Sequence, residues 1–405
     1  MSTTKRRPTM RQVSALLTKE DRYEPFKWYE KMRKESPIRW DSEREAWDVF
    51  DYATSKMVLE NKDLFSSDRS QKKADSEKTP LERSLIGIDP PKHTSMRALV
   101  NRAFTPKVMK HWKPRIARIA TMLLDKIDPK SEVDIVEQLS YPLPVIVISE
   151  ILGVPIEDQE KFKEWSDWVV AGPKDNKPET ISALMEQQER VNKELFHYFK
   201  EMIALKRETP GEDIISVLLQ AEEQGVTLTE DELIGFCILL LIAGNETTTN
   251  LISNAFYCFT EFPEAYERIK ENPLATLPLT IEEVLRYRSP VQAMGRVVKE
   301  DMDLHGHSLK AGDFIVPWIG SANRDEQQFP NSQQFIIDRK PNLHLAFGKG
   351  IHFCLGAPLA RLEAEVILEE WIKRFPSFKR AASFTLEPIE SAFVYGLKEF
   401  KVTIL

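Results

Sequence analysis

The run Phe347-Gly348-Lys349-Gly350-Ile351-His352-Phe353-Cys354-Leu355-Gly356 sets glycines and aromatics around one cysteine. A helix-forming stretch, Ala357-Pro358-Leu359-Ala360-Arg361-Leu362-Glu363, follows at once. Glycine permits tight or left-handed turns and lets another group approach the backbone closely. A helix that starts just after Cys354 aims its unpaired N–H groups and positive end at the sulfur. Those surroundings are expected to favour the thiolate and lower the thiol pKa. A thiolate held this way, beside a glycine-opened face, suits the proximal side of a haem iron. The ordinary alternative is a free thiol in a glycine-rich loop.

Three further groupings could do chemistry. Ala243-Gly244-Asn245-Glu246-Thr247-Thr248 lies inside a long apolar helical pattern. A glycine there costs about 1 kcal/mol relative to alanine. An acid and a threonine in apolar surroundings cost more unless they find partners. The threonine hydroxyl can bond back to the i−4 carbonyl and bend the helix. Together these open a groove able to hold dioxygen and water. Taken alone, a core helix with satisfied polar residues is the better reading; beside the cysteine loop it is not. Glu283-Val284-Leu285-Arg286 places an acid and a base on one helix face, a common and weak signal by itself. Asp89-Pro90-Pro91-Lys92-His93-Thr94-Ser95-Met96-Arg97 puts His93 and Arg97 at i, i+4, and Arg296 follows Val291-Gln292-Ala293-Met294-Gly295. Arginine's planar fork suits buried carboxylates.

The cysteine run resembles the loop of the cytochrome P-450 haem-thiolate monooxygenases, Phe-Gly-x-Gly-x-His-x-Cys-x-Gly. All six fixed positions occur in a ten-residue window, too many for an accidental match. The resemblance implies haem b (heme, iron protoporphyrin IX) with Cys354 as the axial thiolate. Phe347, His352, Gly356, Ala243 and Gly244 would border that cofactor. Thr247 would be the oxygen-stabilising hydroxyl and Glu246 the carboxylate of a proton relay, with Thr248 and Thr249 structural. Glu283 and Arg286, joined by Arg339 from the later meander, would support the cysteine loop. His93 and Arg97 match Asp-Pro-Pro-x-His-x-x-x-Arg, and with Arg296 and His352 they would bind the haem propionates.

The elements needed to position these residues are mostly helical. An amphipathic helix is predicted over Asp21–Ser36, ended by Pro37. Strand-like pieces follow at Ile38–Trp40 and Ala46–Phe50. Ser66–Thr79 is a polar, lysine-bearing loop that the resemblance places over the substrate pocket. Helices are predicted over Val108–Ile127, Val133–Leu152, Asp158–Val170 and Thr180–Arg207. A longer one, opened by the capping box Thr229-Glu230-Asp231-Glu232, runs to about Phe262. Strands are predicted at Val291–Val298, Phe314–Ile319 and Phe400–Leu405. The fold class is mainly α with a minor β portion. The resemblance, which covers nearly the whole chain, implies the triangular P-450 fold: a long central helix over the haem and residues 1–405 as one catalytic domain, with residues 1–20 flexible.

Composition excludes several classes. The formal net charge of −7 argues against a nucleic-acid partner. The cysteines, Cys237, Cys258 and Cys354, are too few and too far apart for a disulfide framework, a zinc ribbon or an iron–sulfur cluster. No apolar h-region follows the basic start, and no run of ~18 apolar residues marks a membrane span. A soluble, bacterial-type, cytoplasmic enzyme is expected. No Gly-x-Gly-x-x-Gly follows a strand, so electrons are expected from separate proteins, a ferredoxin or flavodoxin with an NAD(P)H-dependent reductase. A cluster of Arg102, Lys107, Lys110, Lys113, Lys349 and Arg361 reads equally as a docking patch for such a partner or as ordinary solvated side chains.

The reaction implied by the resemblance is insertion of one atom of dioxygen into a C–H bond of a lipophilic substrate. By family position the pocket comprises Leu85, Ile86, Ile88, Val169, Val170, Leu239, Ile242, Ala243, Val291, Ala293, Met294, Phe393 and Val394, almost wholly apolar. The chain resembles Bacillus-type members that hydroxylate steroids, secosteroids, terpenoids and fatty acids. With no base in that set to grip a carboxylate, steroids and terpenoids lead. The rivals are a hydrogen-peroxide-driven fatty acid peroxygenase, against which Glu246-Thr247 argues, and a non-catalytic haem-thiolate sensor.

Overall fold

Caps and prolines set where the helices begin and end. The computed structural model describes residues 11–16, 18–71, 73–74, 77–104, 106–223, 228–391 and 393–405; much of the 1–20 segment expected to be flexible lies outside this set. Two helices, α1 (Lys19–Tyr23) and α2 (Phe26–Glu35), stand where one is predicted. Pro25, the residue before α2, cannot donate to a helical ladder and divides them. Strands β1 (Ile38–Asp41) and β2 (Ala46–Val49) pair antiparallel. Next comes α3 (Tyr52–Glu60), whose cap Asp51 accepts from the Thr54 N–H. The polar loop contains β3 (Phe65–Ser66) at its start and leads into α4 (Pro80–Arg83), opened by a Thr79–Glu82 capping box. Helices α5 (Lys92–Val100) and α6 (Pro106–Leu124) follow.

The helix predicted over Val133–Leu152 is three pieces. Val133 belongs to β4 (Glu132–Asp134), a π turn spans Val136–Ser140, and α7 (Pro142–Leu152) completes the stretch. Asp134 explains the break. Its Oδ1 accepts from the N–H groups of Val136 at 2.9 Å and Phe400 at 3.1 Å. The backbone is thereby tied to the far end of the chain before a helix can start.

After α8 (Gln159–Val170), α9 (Pro178–Glu208) and α10 (Ile214–Glu223) comes α11 (Glu230–Glu261), with Thr229 and Glu232 forming the predicted capping box. Helices α12 (Pro263–Glu271) and α13 (Pro273–Tyr287) lead into β5 (Arg296–Val298), β6 (Met302–Leu304), β7 (His307–Leu309) and β8 (Phe314–Pro317). The strand expected over Val291–Val298 is therefore only its last three residues; Val291 makes an isolated bridge to Val394. The β6–β7 hairpin was not anticipated. Its turn takes positive φ at both His305 and Gly306, the twist a two-residue hairpin favours. Last come α14 (Ile319–Ala322), α15 (Ala357–Arg374), β9 (Phe378–Arg380) and β10 (Lys401–Ile404). One sheet has the order β1-β2-β8-β5-β3, and a second β4-β10-β9.

Helix α11 runs through the main apolar core and packs against α4, α7, α8, α9, α13 and α15. It is long and apolar enough, by length and composition, to cross a membrane, which the sequence reading did not allow for. Most of that apolar stretch is buried inside the protein, as in a core helix.

Candidate functional site

Along α11 every residue from Glu232 to Phe259 is buried except Leu239, Ala243, Gly244 and Thr247. Their spacing, i, i+4, i+5 and i+8, draws one stripe along the helix. Four accessible positions within a buried stretch leave this stripe uncovered by the rest of the chain. Thr247 donates its hydroxyl back to the Ala243 carbonyl at 2.7 Å. At Gly244 a side chain would press on Ile148 Cδ1 at 3.1 Å. Glu246 is turned off the stripe and buried. Burial, then the nearby Asp167 carboxylate, push its carboxyl up to about 8, with Lys163 opposing. Glu246 therefore holds its proton at neutral pH, next in sequence to a hydroxyl on the accessible stripe.

The cysteine loop is fixed by its own backbone. Gly348 N–H donates to Leu345 O, Phe353 N–H to Gly350 O, and Cys354 N–H to Phe347 O at 2.9 Å. Gly348 and Gly350 adopt φ of 71° and 70°. A Cβ on Gly350 would lie 2.9 Å from Glu60 Cα, whereas one on Gly356 would meet no atom within 4 Å. Helix α15 starts directly after Gly356, and the N–H groups of Gly356 and Ala357 reach the sulfur. The expected lowering of the thiol pKa is not found. Burial raises it, and the two N–H groups with Arg97 and Arg361 only partly offset that. Desolvation outweighs the helix end.

Behind the loop, Glu283, Arg286 and Arg339 come together. Arg286 donates Nε and Nη2 to the two oxygens of Glu283, each at 2.8 Å, with both side chains fully buried. Arg339 Nε reaches the same carboxylate at 3.1 Å. Arg286 also donates to the carbonyls of Asn323 and Ser332. Asn323 Oδ1 in turn accepts from Leu345 N–H at 2.7 Å, at the root of the cysteine loop.

On the other flank the rings of His93 and His352 lie 4.2 Å apart. The Nε2 atom of each is buried without a hydrogen-bond partner. Burial, then Arg296 and His93, push His352 down to about 3. Burial also lowers Arg296 to about 10, with Arg69 adding to it. Arg97 Nη2 donates to Phe353 O at 2.7 Å. Among the described residues no carboxylate pairs with any of these four; Asp89, whose charge reaches His93, Arg296 and His352, is engaged with Ser66, Ser67 and Lys299. Four nitrogen-bearing side chains gathered without an anion are built for one.

Residues 5–403 match the Cytochrome P450 family. Cytochrome P450 109 of Bacillus spizizenii is 46% identical over 393 residues, spanning 97% of this chain and 95% of that one. The crystal structure of CYP109E1 from Bacillus megaterium in complex with testosterone is 58% identical, with a TM-score of 0.93 over 96% of this chain and 99% of that chain. The myxobacterial CYP267B1 in complex with myristic acid is 32% identical, with a TM-score of 0.87 over 96% and 98%. The chain is a cytochrome P450.

The P450 thus has the mainly α haem-thiolate fold and is a monooxygenase carrying haem b on a cysteine thiolate. The residues present fit that group. Cys237 and Cys258 lie wholly buried in α11, where burial pushes their thiols up, that of Cys258 to about 12. Cys354 stands instead in a glycine-shaped loop between an arginine pair and a helix start. The two unpartnered imidazole Nε2 atoms, with two arginines that no described carboxylate pairs, suit two propionates.

The pocket residues of the P450 divide among several neighbourhoods. Ile88, Val169, Val170 and Leu239 are partly buried against the main core, into which Leu85 and Ile242 are wholly packed. Val291 and Met294 pack against a cluster that includes Tyr52, Leu59 and Leu345. Ala293 and Phe393 join Val13 and Leu16 of the N-terminal segment. Val394 bridges Val291, and Ile86 is partly exposed. The proposed cationic patch is weaker than the sequence suggests: Lys113 pairs with Glu365 at 3.1 Å and Arg361 with Glu282 at 2.6 Å. Lys349 is exposed, and the side chains of Arg102, Lys107 and Lys110 lie outside the described residues. Glu282 was missed, although it stands beside Glu283 as a second acid on a core helix.

Proposed function

We propose that this P450 hydroxylates a lipophilic steroid or terpenoid, with electrons from a ferredoxin or flavodoxin and its NAD(P)H-dependent reductase. The observation that supports this best is the accessible stripe Leu239, Ala243, Gly244 and Thr247, an apolar wall broken by one hydroxyl, with neutral Glu246 behind it. A relative 58% identical was crystallised with testosterone, which favours the steroid side. Cys354 is the thiolate ligand, and Phe347, Gly356, Ala243 and Gly244 border the cofactor. His93, Arg97, Arg296 and His352 hold its propionates. When bound, the haem supplies activation of dioxygen and oxygen transfer to carbon. The chain's own residues exclude bulk water, orient the substrate and move protons. Glu246 stores a proton in apolar surroundings, and Thr247 presents a hydroxyl that can swing from the Ala243 carbonyl to pass it on. Glu283, Arg286 and Arg339 keep the cysteine loop in place. The remaining pocket residues, Leu85, Ile86, Ile88, Val169, Val170, Ile242, Val291, Ala293, Met294, Phe393 and Val394, shape the apolar lining. The match over residues 5–403 supports one catalytic domain, and three unpaired cysteines suit a reducing, cytoplasmic setting.

The test is titration of the oxidised protein with testosterone, a monoterpene and myristic acid, followed by turnover with a surrogate ferredoxin and reductase. Spin-state shifts and hydroxylated products from the steroid or terpene are expected. More efficient hydroxylation of myristic acid than of either would sink the substrate assignment. That second reading has its own support in the myristic-acid-bound relative. Product formed as fast from hydrogen peroxide alone would replace the monooxygenase cycle by a peroxygenase, and absence of turnover with every donor would favour a sensor. The reduced, carbon-monoxide-bound spectrum of Cys354→Ala checks the ligand: a retained thiolate signature would overturn it.

A further inference from the structure

Glu282 stands next to the buried Glu283 on α13 yet serves a different part of the chain. Its Oε1 accepts from Arg361 Nε at 2.6 Å and its Oε2 from Arg361 Nη2 at 2.9 Å. The same Oε2 lies 3.1 Å from His344 Nε2. Ala346 N–H donates to His344 Nδ1 at 3.3 Å, so Nε2 carries the ring proton and donates to Glu282. His344 lies just before the cysteine loop, and Arg361 lies in α15 just after it. One carboxylate therefore ties both flanks of the loop that carries Cys354.

Electrostatics point the same way. The Arg361 guanidinium lies over the Phe347 ring, 4.4 Å from its centroid, and the Phe347 carbonyl receives the Cys354 N–H. The fields of Arg97 and Arg361 both reach the Cys354 sulfur. Burial raises the Glu282 carboxyl, but the bonds from Arg361 and His344 outweigh it and hold it at about 2. Glu282 is thus an anion at any working pH. Paired with Arg361 it makes the unit close to neutral as seen from the sulfur; unpaired, Arg361 would draw electron density away from it.

We propose that Glu282 is a positioning residue for the thiolate, fixing both ends of the cysteine loop and offsetting the Arg361 charge, so that the electron density the sulfur gives depends on it. The proposal rests on Cys354 as the ligand. A structural brace alone would change melting and loop order in either variant of the pair. An electrostatic role has a sign. Glu282→Gln keeps the shape but leaves Arg361 uncompensated, so the sulfur donates less and the reduction potential rises. Arg361→Ala leaves Glu282 uncompensated, and the potential falls. The double variant removes both charges and returns toward the parent value.

The experiment is a spectroelectrochemical titration of the four holoenzymes, with the carbon-monoxide spectrum of each. Expected are opposed shifts for the single variants, a double variant between them, and a larger thiol-ligated fraction in Arg361→Ala than in Glu282→Gln. Glu282→Asp, which keeps the charge, is expected to shift less than Glu282→Gln. Shifts of the same sign in both single variants, or none in either, would overturn the proposal. A failure of the Cys354 assignment looks different, because the parent protein itself would then lack the thiolate spectrum.

Discussion

Glu246 and Thr247 are neighbours in sequence with opposite surroundings, and each makes a separate prediction. An unfolded glutamate ionises near ~4.3. In the folded protein Glu246 holds its proton up to about 8. Between these values the folded state binds a proton that the unfolded state has lost, so stability falls as pH rises through that window. Glu246→Gln removes the ionisable group while keeping its shape. The variant is expected to melt above the parent at pH 8, by roughly 1–3 kcal/mol, with the gap closing toward pH 5. Its turnover is expected to drop, since the amide stores no proton for transfer. Melting curves from pH 5 to 8 check this, and a pH-independent gap would contradict it. Thr247→Ala is expected to keep haem and substrate binding but to divert reducing equivalents to peroxide; unchanged coupling of NAD(P)H oxidation to product would remove Thr247 from proton handling. Cys354, Thr247 and Glu246 could be proposed from the sequence because short spacings carried them. Glu282 was not, since an acid on a helix becomes meaningful only when His344 and Arg361 arrive from 62 and 79 residues away.

At the scale of elements, the cysteine loop separates two kinds of glycine. Gly350 sits at φ 70° with the α3 backbone 2.9 Å from where a Cβ would be. Gly350→Ala is expected to cost about 1–2 kcal/mol for the backbone conformation alone, and more for the clash. Gly356 has ordinary φ of −81° and open space around its Cβ position. Gly356→Ala should leave the apoprotein within ~0.5 kcal/mol of the parent and report instead on haem content. Thermal melting of the two apoproteins, set beside their haem absorbance, tells them apart; equal melting losses would show that the loop tolerates neither. Local signals also explain which elements could be read ahead. The capping box gave the start of α11 because Thr229 and Glu232 satisfy each other's backbone within one turn. Val133 misled because its pairing partner, Val402, is remote in sequence. Pro25 split a predicted helix, an interruption the amphipathic pattern of aromatics hid.

At the scale of the whole molecule, residues 12–16 and the stretch around residues 390–393 meet around one connection. In the N-terminal segment Val13 and Leu16 pack with Ala293 and Trp318, and with partly buried Phe393. Between them Gln12 N–H donates to Asn176 Oδ1 at 2.8 Å, and Asn176 Nδ2 donates to Gln12 O at 3.1 Å. Gln12 Nε2 donates to the Pro173 carbonyl, and Gly172 N–H to Glu390 O at 2.5 Å. The connection between α8 and α9 is therefore held from one side by the start of the chain and from the other by its last loop. Arg288 links the same two ends from below, pairing with Glu24 and Glu261 and donating to Tyr395, whose ring stacks on Tyr23. Asn176→Ala deletes two of the clasping bonds. At about 0.5–1.5 kcal/mol each, their loss should raise the local opening constant of residues 171–177 roughly tenfold. The Arg288 linkage and the α11 core are untouched, so the midpoint of global unfolding should stay within a degree or two. Hydrogen exchange of the holoenzyme distinguishes the cases: faster exchange confined to 171–177 is the expected result, while unchanged exchange there, or faster exchange reaching α11, would mean that the chain ends do not hold this connection as a separate unit.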